Sequence, residues 1–122
     1  MTSMDANKKF LKELKSGTVA LILLGILEQT TEPMYGYQIT KEIDTGELDI
    51  KQGALYPVLR SLERDGLLSS DVEPSSSGPP RRYYRITEAG RETLSNWKDA
   101  WESTKSLVDS VLKGQEDVDE NR

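Results

Sequence analysis

The chain contains no cysteine and no histidine. Those two absences remove disulfides, zinc sites built on thiolate or imidazole, and the Cys-His and Ser-His-Asp nucleophilic arrangements. Catalysis would have to rest on a carboxylate pair or a Ser-Lys dyad. The acids are scattered at helix-surface spacing, so no enzyme, cofactor or metal is expected. Lack of cysteine fits a reducing compartment, and the cytoplasm is the expected location. Long apolar runs are lacking too. The longest, residues 19–27 (VALILLGIL), has nine residues, against the roughly 20 needed to span a bilayer. Glu28 and Gln29 follow it instead of a small-residue cleavage site, so neither a membrane span nor a signal peptide is read here. Positive charge is also in short supply, with 16 Lys and Arg against 21 Asp and Glu and a net charge of -5. A nucleic-acid binder usually advertises a basic surface, and taken whole this chain does not. Its distribution is more telling, because Arg60, Arg64, Arg81, Arg82 and Arg85 crowd into one short window.

The 122 residues allow one domain with a single core. Residues 8–15 alternate Lys with Phe10, Leu11 and Leu14, a short amphipathic helical pattern, and residues 17–29 read as a mostly buried helix. Residues 35–43 (YGYQITKEI) place Ile39 and Ile43 inward, with Tyr37, Gln38 and Lys41 on the opposite side. Residues 44–49 read as a turn hinged at Gly46. A helix is predicted from there to Gly66, with Asp49 and Gln52 as a capping box and Leu55, Val58, Leu59 and Leu62 facing the core. Pro57 should kink or delay its first turn.

After Gly66, residues 67–73 and 81–87 read as two strands. Leu68 and Val72 share one face of the first, and Tyr84 and Ile86 face the core from the second. Between them, Glu73 to Pro80 is expected to be an extended, flexible hairpin tip carrying Arg81 and Arg82. Thr87 can cap a last helix. Within that helix Leu94, Trp97, Trp101, Thr104, Val108 and Val111 keep heptad spacing. The expected fold is therefore mostly α with a small β-hairpin (α+β). A winged helix-turn-helix with its N-terminal helix spans 1–86, a long C-terminal dimerisation helix 87–113, and a flexible acidic tail 114–122.

Three blocks, YGYQI at 35–39, GALYPVLRSLERDGLL at 53–68 and GPPRRYYRITEAGR at 78–91, closely resemble the signature of the PadR family of transcriptional regulators. The single last helix resembles that family's small subclass. The resemblance implies a homodimeric regulator of double-stranded operator DNA, usually a repressor released by a small molecule or stress signal. Carried onto this chain, it points to Lys51, Gln52, Gly53 and Tyr56 at the start of the recognition helix, with Arg60 one turn further along. Arg81 and Arg82 would reach DNA from the wing, and Tyr37, Gln38 and Lys41 would clamp the backbone. Gly53 has a physical rationale, since a residue without Cβ lets the main chain approach a phosphate or base edge. Phe10, Leu11, Leu14, Leu94, Trp97, Trp101, Val108 and Val111 form the expected dimer seam. Trp97 and Trp101, the only tryptophans, are either interface anchors or the walls of a pocket for a flat aromatic effector. The competing reading is a winged-helix module that binds protein instead of DNA, which the acidic balance would suit.

Overall fold

The computed structural model describes residues 3–43 and 50–120, with side chains described over 4–43 and 50–114. One unbroken helix, α1 (Ser3–Gln29), covers what the pattern suggested as two pieces. Its second half supplies Leu23, Leu24 and Leu27 to the core, each almost wholly buried, while Phe10, Leu11 and Leu14 on its first half stay exposed. Thr30 ends the helix by donating its hydroxyl to the Leu27 carbonyl.

Beyond Pro33 the chain forms β1 (Met34–Tyr35), a strand of two residues that periodicity could not reveal. It leads directly into α2 (Gly36–Ile43), which buries Ile39 and Ile43 as its spacing predicts. The turn read at 44–49 lies outside the described residues. Helix α3 (Gln52–Arg64) follows, with Leu55, Leu59 and Leu62 buried. The capping box is corrected: the N-cap is Lys51, in extended conformation (φ -81°, ψ 153°) and without a side-chain cap. Pro57 lies inside α3, which runs unbroken past it.

The end of α3 shows why glycine stands at 66. Gly66 has φ +81°, the left-handed conformation that a Cβ disfavours. Its N–H donates to the Glu63 carbonyl and that of Leu67 to the Leu62 carbonyl, the paired bonds of a Schellman motif. Leu62 and Leu67, both buried, close the contact beneath it.

Strands β2 (Leu68–Ser75) and β3 (Gly78–Ile86) then pair antiparallel from Leu68↔Ile86 out to Ser75↔Gly78. β1 adds to the other edge of β3 through Met34↔Tyr84 and Tyr35↔Tyr83, giving the order β1-β3-β2. Two expectations fail here. The extended tip is absent, because the strands continue until only Ser76 and Ser77 separate them. An irregularity between Glu73 and Ser75 takes up Pro74, and Pro79 and Pro80 fall opposite it, so their missing N–H groups interrupt no regular ladder. Val72, expected to face the core with Leu68, is 52% exposed. The period-two pattern is right, but the ribbon outruns the core it rises from.

Helix α4 (Glu88–Glu120) starts at a built cap and has helical backbone well past the expected end at 113. The Thr87 hydroxyl accepts the Gly90 N–H at 3.0 Å and donates to the Gly66 carbonyl at 2.7 Å, which ties the helix start to the α3–β2 turn. Lys98 donates to Glu28 at 3.0 Å and joins α4 to α1. Among the described residues no helix is long and apolar enough to cross a membrane.

Candidate nucleic-acid interface

Helices α2 and α3 meet where Tyr56 lies across Gly36. A Cβ on Gly36 would stand 2.8 Å from the Tyr56 hydroxyl and 2.9 Å from Cε1, so glycine leaves the space the ring occupies. The phenol oxygen accepts the Gln52 Nε2–H at 2.6 Å, one helical turn back. Gln52 and Tyr56, both half-buried, are thereby fixed as a pair at the start of α3. Lys51, Gly53 and Arg60 are exposed around them. Among the described residues, leaving aside its chain neighbours and its own helix backbone, nothing lies within 4 Å of where a Cβ on Gly53 would be, so no contact among them demands glycine there.

On α2, Tyr37, Gln38 and Lys41 are exposed, as the helical spacing requires. Gln38 has a second role. Its Oε1 accepts the Tyr35 N–H at 3.1 Å, the reciprocal half of a capping box in which the third helical residue reaches back to the N-cap. That bond engages the carboxamide oxygen of an exposed side chain. The Lys41 ammonium lies over the Tyr37 ring, 5.5 Å from its centroid.

Arg81 and Arg82 do not sit at the hairpin tip. They pair in register with Glu73 and Val72, and Ser76–Ser77 make the turn beyond them. The pleat sends them to opposite faces. Arg81 lies over the Tyr35 ring at 4.4 Å. Arg82 donates to the Ser70 hydroxyl at 2.9 Å, and Ser70 donates onward to the Glu63 carboxylate at 2.8 Å. A β3 arginine is thus linked through β2 to helix α3. On the same side, burial pushes the Tyr84 phenol above its ordinary value, with Arg82 and Arg60 pulling it down and Glu63 and Tyr56 adding to the rise. Arg85, further along the strand, forms an ion pair with Asp71 at 3.5 Å.

The result is a groove of about 480 Å³ between the helix-turn-helix and the ribbon. Tyr37, Gln52 and Tyr56 line it together with Arg81 and Arg82. Half of the residues expected to contact DNA therefore converge on one concave face; Gln38, Lys41, Lys51, Gly53 and Arg60 do not line it. Tyr35, Gly36, Ser70 and Glu63 were missed as parts of this site. Only the Tyr-Gly-Tyr run hinted at the first two, and the Ser70–Glu63 link depends on strand register that spacing could not supply. Among the described residues no group of three or more acidic side chains is placed to hold a metal ion.

The expected dimer seam needs one correction. Leu94 is 1% exposed within its own chain, because it closes the core where α4 crosses it, and it has nothing left to offer a partner. Phe10, Leu11, Leu14, Trp101, Val108 and Val111 are exposed. So are Leu107 and Leu112, which the heptad reading overlooked. Trp97 is half-buried against the core. Together with Trp101 it lines an apolar groove of about 490 Å³ between α1 and α4, opposite Leu14, Thr18 and Leu21.

Comparison with known proteins agrees with this geometry. Residues 23–96 match the model of the transcriptional regulator PadR-like family. A transcriptional regulator of Mycobacterium tuberculosis is 37% identical over 97 residues, covering 79% of this chain and 87% of its own. The crystal structure of a PadR family transcriptional regulator from Eggerthella lenta superposes with a TM-score of 0.78 at 32% identity, over 91% of this chain and 96% of that one. A PadR-like transcriptional regulator from Bacillus cereus gives 0.70 at 29% identity, over 83% and 97%.

Proposed function

This chain belongs to the PadR-like family of transcriptional regulators, and we propose that it acts as a homodimeric, sequence-specific repressor on operator DNA in the cytoplasm. The observation that carries the reading is the shared groove. The first turns of the recognition helix and two wing arginines from a different part of the chain line it together. Tyr56 and Gln52 would meet base edges and Arg81 and Arg82 phosphates, with Tyr37 beside them in the groove and Gln38, Lys41, Lys51, Gly53 and Arg60 around the rim. Dimerisation would cover Phe10, Leu11, Leu14, Leu107, Val108 and Val111, which a lone chain leaves in water. The groove flanked by Trp97 and Trp101 would take a flat aromatic effector. A ligand there would alter how α4 packs on α1 and so the spacing of the two recognition helices.

The test is binding to duplex DNA from upstream of the protein's own coding region, measured by fluorescence anisotropy across a salt series. About three phosphate contacts per subunit give a log–log slope near -5, and Arg81→Ala with Arg82→Ala should weaken binding to every sequence. Light scattering should report twice the chain mass. A flat slope with tight capture of a protein partner would favour the protein-binding module that the net charge of -5 suits.

A further inference from the structure

The outer half of the wing has little to hold it. β1 covers β3 only at Tyr83 and Tyr84, so residues 72–82 form a two-stranded ribbon, which is marginal alone in water. Arg81 sits on that unsupported part. A long, rotamer-rich side chain there would surrender much freedom on meeting a phosphate. The structure offers one ring to hold it, and that ring is itself held on several sides.

Tyr35 lies opposite Tyr83 in the ladder, and its ring meets the Tyr83 ring edge-on (centroids 5.4 Å, planes at 66°). It stacks on Tyr37 at 6.5 Å and 24°. Its N–H is bound by Gln38. Arg81 is two residues from Tyr83 on the same face of β3, so Tyr35 is its diagonal cross-strand neighbour, within aromatic reach. The guanidinium carbon stands 4.4 Å from the Tyr35 centroid, well inside the range of a cation–π contact.

We propose that Tyr35 is a positioning residue: its ring pins Arg81, and with it the wing, to the helix-turn-helix in the pose that meets DNA. This rests on the DNA-binding reading above and names a residue that reading does not use. Tyr35 need not touch the nucleic acid. It acts by holding the guanidinium where the groove needs it, with the outer N–H groups free for phosphate.

The experiment is a double-mutant cycle on DNA binding at fixed salt, using the full chain. Tyr35→Leu should weaken binding about three- to tenfold, and Tyr35→Phe should restore it to within about twofold, since the ring and not the hydroxyl faces the cation. In an Arg81→Ala background Tyr35→Leu should have no further effect. Pentafluorophenylalanine at position 35 keeps the ring's shape and reverses its quadrupole, so it should match Tyr35→Leu while leaving the fold intact by circular dichroism. Equal losses from Tyr35→Leu with and without Arg81, or full affinity with the fluorinated ring, would overturn the positioning role alone. Absence of salt-dependent DNA binding by the native protein would overturn the DNA reading, and this role with it.

Discussion

Gly36→Ala tests whether the junction of α2 and α3 is built as described. Its added methyl would stand 2.8 Å from the Tyr56 hydroxyl, 2.9 Å from Cε1 and 3.1 Å from Cζ. Comfortable contacts between such atoms lie near 3.5–4.0 Å, so the overlap is roughly half an ångström or more. Overpacking of this kind costs about 1–3 kcal/mol. One effect works in the opposite direction. Among the described residues only Gly66 has positive φ, so alanine fits the backbone at 36 and restricts the unfolded chain, a gain of about 0.4–1 kcal/mol. The net expectation is a loss of about 1–2 kcal/mol. Relief would come from swinging the Tyr56 ring aside, which breaks its bond with Gln52. In a Tyr56→Ala background the obstacle is gone, and Gly36→Ala should turn neutral or stabilising. Urea unfolding at one fixed protein concentration gives all four corners of the cycle, with a coupling of at least about 1 kcal/mol expected. Operator affinity should fall in Gly36→Ala as well, although residue 36 offers no side chain to DNA. An equal cost of Gly36→Ala with and without the ring would show that the two helices do not meet in this way.

Gly90→Ala should be more damaging, because its methyl would overlap the Leu67 carbonyl oxygen and stand 2.7 Å from Ile86 Cγ1, and a backbone atom cannot rotate away. A loss near the top of the overpacking range, about 3 kcal/mol, should appear in thermal melting. Ser70→Ala removes the hydroxyl between Arg82 and Glu63 and should cost about 0.5–1.5 kcal/mol in urea unfolding; its effect on DNA affinity should vanish once Arg82 is also alanine. Tyr84 titrates above its ordinary value of 10.0, chiefly through burial, so the folded state holds this proton more tightly than the unfolded one. The stability that goes with it is complete below the unfolded value and is lost as pH rises through the folded one. Stability of the native chain should therefore fall more steeply above about pH 10 than that of Tyr84→Phe, the two differing little in pH dependence below it.

The helices were legible because each carries its own signal. Ile39 with Ile43, and Leu55 with Leu59 and Leu62, repeat at the helical period, and all five are buried. Gly66 and Thr87 marked a stop and a start, and both do what those residue types do at such places. What failed to show were features fixed by contacts distant in sequence. Two residues of β1 are too few for any period. The tight Ser76–Ser77 turn was hidden by the run Ser75, Ser76, Ser77 and Gly78, which suggested a flexible tip, and the irregularity that takes up Pro74 is a property of the pairing. Leu94 fits the heptad as well as Val108 does, yet one faces its own core and the other water. A stripe records that a face is apolar and leaves open which surface covers it. The same limit applies at the groove. Arg81, Arg82, Tyr37 and Tyr56 could be named from the sequence, but that Arg81 leans on Tyr35 while Arg82 reaches Glu63 through Ser70 depends on which way each side chain leaves β3.

Net charge is the remaining tension between composition and the proposed role, and it resolves once charge is followed along the chain. Residues 88–122 hold nine of the 21 acids and five of the 16 bases. That leaves 12 acids against 11 bases in residues 1–87, so nearly all of the net -5 belongs to α4 and the residues after it. Helix α4 has 33 residues, about 50 Å at 1.5 Å per residue. At physiological ionic strength exposed charges are largely screened beyond about 8 Å, so acids toward its far end act weakly on anything near its start. Charge near the groove is of a different character. Glu63 is occupied by Ser70, and Asp71 by Arg85. Arg60, Arg81 and Arg82 stand among them, with Glu73 opposite Arg81, Lys41 on α2 and Lys51 at the N-cap of α3. The scale that governs phosphate contact is that of the groove, where arginine is in excess, and the total charge of the chain describes its far end instead.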